Sequence, residues 1–162
     1  MQTQRVLIVC LANQCRSPMG EYLLAEKLKK SGAGAGIEVL SAGIEATPGL
    51  PATSGSRRAI ERRFGKDHLK GHRATLLTPA LMGECDAVLV MTRGQKAFLE
   101  DQWAGVLEGL DTKLHTLGEF AGQPKVDVDD PVGGPDARYD ECRDLLEELV
   151  SAAAKRLTNG PR

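Results

Sequence analysis

Val9-Cys10-Leu11-Ala12-Asn13-Gln14-Cys15-Arg16-Ser17-Pro18 is the stretch whose reading decides the fold. Before it runs Arg5-Val6-Leu7-Ile8-Val9, short, apolar and β-branched, which predicts a buried parallel strand. After it, Ser17-Pro18 opens a helix, with Pro18 where a missing N–H costs nothing. The loop of Leu11, Ala12, Asn13, Gln14 and Cys15 is long enough to wrap its backbone N–H groups around one tetrahedral anion, and the helix N-terminus adds partial positive charge. A cysteine at the base of such a cradle, with Arg16 at its far end, is expected to drop from a pKa of ~8.5 into a range of ~3.5 to 7.5. The expected chemistry is attack on phosphorus by a Cys10 thiolate. Arg16 would bind two phosphoryl oxygens as a planar fork, and Ser17 would donate to the sulfur when it leaves. The competing reading makes Cys10 a buried apolar residue and Arg16 a surface cation.

A chain of 162 residues suits one domain, taken as 1–162. The formal net charge is -1 with both signs interspersed, so neither a nucleic-acid footprint nor a membrane-surface patch is expected. No apolar run approaches a bilayer span, and Met1 to Arg5 leads into a strand without a signal-peptide core, so the expected location is cytoplasmic. Cys10, Cys15, Cys85 and Cys142 show neither C-x-x-C spacing nor partner histidines, which argues against zinc and against a secreted disulfide framework. A reversible Cys10–Cys15 disulfide, guarding an easily oxidised thiolate, stands beside the reading of Cys15 as a small packing residue.

Strand-like runs at Arg5 to Val9, Ile37 to Ser41, Ala87 to Met91 and Leu114 to Thr116 alternate with helical segments, which predicts a parallel α/β sheet covered on both faces. In the first helix Met19, Leu23, Leu24 and Leu28 share a face, and Ser31 to Gly36 is a glycine-rich connector. A second helix runs from near Thr53 to Phe64, with Arg57, Arg58, Arg62 and Arg63 on a solvated face. A third follows Thr92 and carries Ala97, Phe98 and Trp103. The last, from about Ala137 to Leu157, presents Tyr139, Cys142, Leu145, Leu146, Leu149, Val150, Ala153 and Leu157 as one apolar stripe, so Cys142 reads as core.

Expelling an alkoxide or phenoxide requires an acid, which afterwards activates water. Val126 to Pro135 is a turn-rich loop crowded with Asp127, Asp129 and Asp130. Adjacent carboxylates oppose each other's ionisation, which favours a protonated one. Because Pro131 fixes the backbone after it, Asp130 is preferred to Asp129 as the acid. An ordinary Asp-Pro turn is the alternative.

With Cys10 to Pro18, Asp130-Pro131, Ser41-Ala42-Gly43 and Gly71-His72-Arg73-Ala74 in view, the chain resembles the low-molecular-weight protein-tyrosine phosphatases along nearly its whole length. The resemblance implies a four-stranded parallel sheet with helices on both faces. It also implies metal-free hydrolysis of a phosphorylated protein through a cysteinyl-phosphate; no cofactor is expected, and the expected state is a monomer. It further implies that Asn13 is left-handed and held by polar contacts from Ser17, Ser41 and His72, a conformation that asparagine tolerates well.

The departures concern substrate. Members acting on phosphotyrosine often carry an aliphatic residue where Gln14 stands and an aromatic where Val132 stands, so Gln14 and Val132 are the expected specificity positions. Each lost aromatic pair weakens phenyl recognition by ~1 kcal/mol. A bacterial branch that hydrolyses phosphoarginine is similar through Asp130 to Gly134, Tyr139 and Arg143 to Leu149, but carries a small hydroxyl residue at the position of Gln14. Phosphotyrosine is the first expectation and phosphoarginine the alternative. Thiol-dependent arsenate reductases share the cradle but use a resolving pair of cysteines, and no cysteine occurs from Val88 through Glu141. A phosphate-binding module would need a disabled nucleophile or acid.

Overall fold

The computed structural model describes residues 3–159; Met1 and Gln2 of the N-terminal stretch, and the outer bounds of the expected domain, lie outside them. The elements in chain order are β1 (Gln4–Cys10), α1 (Arg16–Lys30), β2 (Ile37–Gly43), α2 (Ser54–Phe64), α3 (Pro79–Gly83), β3 (Ala87–Val90), α4 (Arg93–Trp103), α5 (Leu110–Lys113), β4 (Leu114–Thr116), α6 (Leu117–Phe120) and α7 (Asp136–Asn159). The strands form one parallel sheet in the order β2-β1-β3-β4.

β1 shows why both faces are covered. Its side chains alternate, so Val6, Ile8 and Cys10 pack with Met19, Leu23, Leu146 and Val150 of α1 and α7, while Leu7 and Val9 pack with Met82, Leu99 and Leu110 of α3, α4 and α5. The expected apolar stripe of α7 is the seam of the first layer: Tyr139, Cys142, Leu146, Leu149, Val150 and Ala153 are buried.

Threonine caps begin several helices. Thr53 accepts from the Ser56 N–H at α2, and Thr92 and Thr116 form capping boxes with Gln95 and Glu119 at α4 and α6. The short helices α3, α5 and α6 escape a periodicity reading because four or five residues complete barely one turn.

The arginines of α2 lie on a solvated face, as expected, and three of them form surface ion pairs: Arg58 pairs with Asp136 at 2.9 Å, Arg62 with Asp140 at 2.6 Å and Arg63 with Glu147 at 3.1 Å. These carboxylates lie on α7, far along the chain, and only packing of α7 against α2 brings them near. Among the described residues no helix is long and apolar enough to cross a membrane.

The strand order reverses direction at β1, so the carboxyl ends of β1 and β3 border the crevice where open α/β sheets place ligands. Cys10 is the last residue of β1.

Candidate active site

From Cys10 the chain turns through Leu11 to Cys15 and enters α1 at Arg16. Three carbonyls of this turn are tied to the surrounding scaffold. That of Leu11 accepts from the Glu45 N–H at 2.8 Å, that of Gln14 from the Thr53 N–H at 2.7 Å, and that of Asn13 bonds His72 Nε2 at 2.7 Å. A trans peptide sets each carbonyl opposite the next N–H, so the amides of Ala12, Gln14 and Cys15 point the other way. Among the described residues, no N–H from Leu11 to Arg16 donates to a backbone carbonyl. The first turn of α1 carries no acidic side chain, and its N-cap residue Cys15 makes no side-chain cap bond. The result is an array of free donors at a helix N-terminus, suited to a tetrahedral anion.

Asn13 organises the turn. It is fully buried and holds φ at 55°. Its Oδ1 accepts from the Thr75 N–H at 2.8 Å, which identifies the oxygen end because a backbone N–H only donates. Its Nδ2 donates to Ser17 Oγ at 2.7 Å and to Ser41 Oγ at 2.9 Å. The three polar partners expected from the resemblance are therefore all at Asn13, with His72 reaching its main chain rather than its side chain.

Ser17 Oγ lies 3.0 Å from Cys10 Sγ. Arg16 is buried beside them; its NH1 donates to the Val128 carbonyl at 2.9 Å and its NH2 stands 3.5 Å from Asp130 Oδ2. Its Nε is buried without a partner among the described residues, a donor that a phosphoryl oxygen would satisfy. Asp130 accepts the Val132 N–H on its other oxygen at 3.1 Å. Both Asp129 and Asp130 are exposed, but Asp130 is the carboxylate paired with Arg16, and Asp129 makes no ion pair among the described residues.

The expected crowding of carboxylates is corrected at Asp127. Its carboxylate turns to Arg93, accepting from the backbone N–H at 3.0 Å and from Nε at 3.2 Å. Burial pushes its carboxyl up, but the Arg93 N–H and guanidinium more than reverse this and hold it below the ordinary aspartate value. The partner starts a helix 34 residues earlier and is not legible in the loop.

At the rim, Gln14 Nε2 donates to the Pro51 carbonyl at 2.9 Å, and Leu11 and Val132 are exposed. The cysteines are free thiols. Burial pushes the Cys15 thiol far up, and burial, opposed by Arg16, leaves Cys142 pushed up to about 12. No group of three or more His, Cys, Asp or Glu residues arranged to hold a metal occurs among the described residues.

The sequence reading passed over four participants. The Thr75 N–H, the Val128 carbonyl and the Asp127–Arg93 pair carry no local signature. Gly43 has one, in the motif Ser41-Ala42-Gly43, but its role depends on packing: a Cβ there would lie 2.6 Å from Asn13 N, 2.7 Å from Ala12 C and 2.8 Å from the Leu11 carbonyl oxygen. The cradle therefore rests directly on the end of β2.

Residues 5–161 match the family described as low molecular weight phosphotyrosine protein phosphatase. The chain is 36% identical over 157 residues to a protein-arginine-phosphatase of Bacillus subtilis strain 168, covering 97% of this chain and 99% of that one. It is 31% identical over 157 residues to the low molecular weight protein-tyrosine-phosphatase Ptp of Acinetobacter johnsonii, covering 97% and 100%. Among solved structures, that of a YwlE mutant from Bacillus subtilis aligns with a TM-score of 0.86 at 33% identity, covering 97% of this chain and 100% of that one. The tyrosine phosphatase Wzb from Escherichia coli K30, in complex with sulphate, aligns at 0.81 and 28% identity, covering 96% and 99%.

Proposed function

The chain belongs to the low-molecular-weight phosphotyrosine protein phosphatase family, and from that premise we propose that it hydrolyses phosphotyrosine in proteins in two steps through Cys10. In the first step the Cys10 thiolate forms a bond to phosphorus and the bond from phosphorus to the tyrosine oxygen breaks. Asp130 passes its proton to that oxygen. In the second step Asp130 takes a proton from water, the water oxygen attacks phosphorus, and Cys10 leaves as thiolate with Ser17 donating to it. Arg16 and the amides of Leu11 to Arg16 bind the phosphoryl oxygens in both steps. Asn13, Ser41 and His72 hold the cradle in shape.

The observation that carries this reading is the 3.0 Å approach of Ser17 Oγ to Cys10 Sγ beside a buried arginine paired with Asp130. The test is turnover of p-nitrophenyl phosphate. Cys10→Ser should abolish it while still binding orthophosphate. Asp130→Ala should lose ~100-fold or more with phenyl phosphate and less with the better p-nitrophenolate leaving group. Unchanged activity in Cys10→Ser ends the assignment.

Phosphoarginine is the second reading, in which Asp130 would protonate nitrogen as the phosphorus–nitrogen bond breaks. Gln14 favours it: with Nε2 engaged by Pro51, its free Oε1 is an acceptor suited to a guanidinium. Relatives from Bacillus subtilis and Geobacillus stearothermophilus, 36% and 34% identical, carry the name protein-arginine-phosphatase. Rates on matched phosphotyrosine and phosphoarginine peptides, for the wild type and Gln14→Thr, separate the two.

One chain supplies every group in this scheme, which supports action as a monomer and one catalytic unit over 1–162. A thiolate nucleophile and free cysteines suit the reducing cytoplasm.

A further inference from the structure

The acid loop meets the body of the protein through consecutive residues. Asp127 Oδ1 accepts the backbone N–H of Arg93, the first residue of α4, at 3.0 Å, while the Arg93 guanidinium donates to both carboxylate oxygens at 3.2 and 3.3 Å. The next residue, Val128, is buried. Its N–H donates to the Met91 carbonyl just beyond β3, and its own carbonyl accepts from Arg16 NH1, each at 2.9 Å. Two residues further on, Asp130 Oδ2 stands 3.5 Å from Arg16 NH2. One peptide segment therefore fixes both the guanidinium that binds phosphate and the carboxylate that moves the proton.

We propose that Asp127 is a positioning residue: by fastening the acid loop to the N-terminus of α4, it sets the orientation of Arg16 through Val128 and the reach of Asp130. This rests on the phosphatase reading above. The fastening bond is the one to the Arg93 N–H, where the helix end also favours a carboxylate. The Arg93 side chain is 58% exposed, and an ion pair so placed contributes little. Removing that side chain leaves the backbone bond in place.

The experiment compares kcat/KM for p-nitrophenyl and phenyl phosphate, together with competitive inhibition by orthophosphate, in four variants. Asp127→Ala should raise the p-nitrophenyl to phenyl ratio about tenfold and weaken phosphate inhibition severalfold. Asp127→Glu keeps the charge but lengthens the arm, and should move both readouts in the same direction. Asp127→Asn, which keeps the acceptor oxygen, and Arg93→Ala should each stay within about threefold of wild type. If Asp127→Ala fails to fold, Asp127→Glu carries the test. Wild-type ratios and wild-type phosphate inhibition in Asp127→Ala, or in Asp127→Glu where it alone folds, overturn the proposal. A wild-type enzyme whose turnover does not depend on Cys10 overturns the phosphatase reading instead.

Discussion

Ser17 Oγ sits 3.0 Å from Cys10 Sγ while accepting the Asn13 Nδ2 hydrogen at 2.7 Å. The hydroxyl has one proton and two acceptors in reach, the sulfur and, further away at 3.4 Å, the Ala42 carbonyl. In the proposed scheme that proton is given to the sulfur, because a thiolate accepts hydrogen bonds and has none to give.

Ser17→Ala should lower kcat by about 10- to 100-fold if the proposed scheme holds, because its departing thiolate would lose its donor. Rapid-quench measurements should show the phosphoenzyme accumulating in a burst before slow turnover. A variant with wild-type kcat and no enlarged burst would contradict the role given to Ser17.

Gly43→Ala places a methyl group 2.6 to 2.8 Å from the cradle backbone, closer than any carbon tolerates. The turn must shift, and with it the amides to which the proposed scheme assigns phosphate. Activity should fall by about tenfold or more while thermal unfolding moves by only a few degrees, since one cradle peptide is displaced and the sheet is not. Orthophosphate inhibition should weaken in parallel; loss of stability without loss of phosphate affinity would locate the strain elsewhere.

Thiol reactivity should be confined. Cys142 is pushed up to about 12 by burial against the opposing pull of Arg16, and Cys15 is pushed further, so both stay protonated at pH 7. Iodoacetate, an anion that the cradle attracts, should label Cys10 alone at pH 7, and orthophosphate should protect it. Peptide mass spectrometry reads the result, and early labelling of Cys15 or Cys142 would refute it.

Stability should fall on the acid side. The carboxyls of Asp127, Asp136 and Glu119 lie below their ordinary values. For Asp136 the Arg58 hydrogen bond is the main cause. For Asp127 and Glu119, burial raises the value, but backbone N–H groups and the cations Arg93 and Lys96 more than reverse it. A lowered native value means stability that is complete above the unfolded pKa and lost as pH drops through the native one. The melting temperature should begin to decline below about pH 6.5, where the unfolded chain protonates His115, which burial holds below its ordinary value, and fall further below about pH 4 as these carboxylates are protonated, with Glu21, raised by burial, acting in the opposite sense. A melting temperature that rises on acidification would reverse this sign.

What the sequence determined by itself was local. An apolar strand, a five-residue turn and a helix start specify a nest with a cysteine beneath it, because backbone geometry and the helix terminus operate within a few bonds. The alternation of strands and helices specified the parallel sheet, and the α7 stripe specified its seam, because side-chain period follows from backbone rise. Tertiary structure alone decided which distant groups support the nest. Thr75 finds Asn13 from 62 positions away and Val128 finds Arg16 from 112; in each bond the distant partner is a backbone atom, of a kind present at every residue, and so leaves no mark in composition. It also decided that Asp127 turns to Arg93 rather than crowding Asp130, since a carboxylate takes the partner that packing delivers, and chain order does not reveal which helix end will arrive beside it.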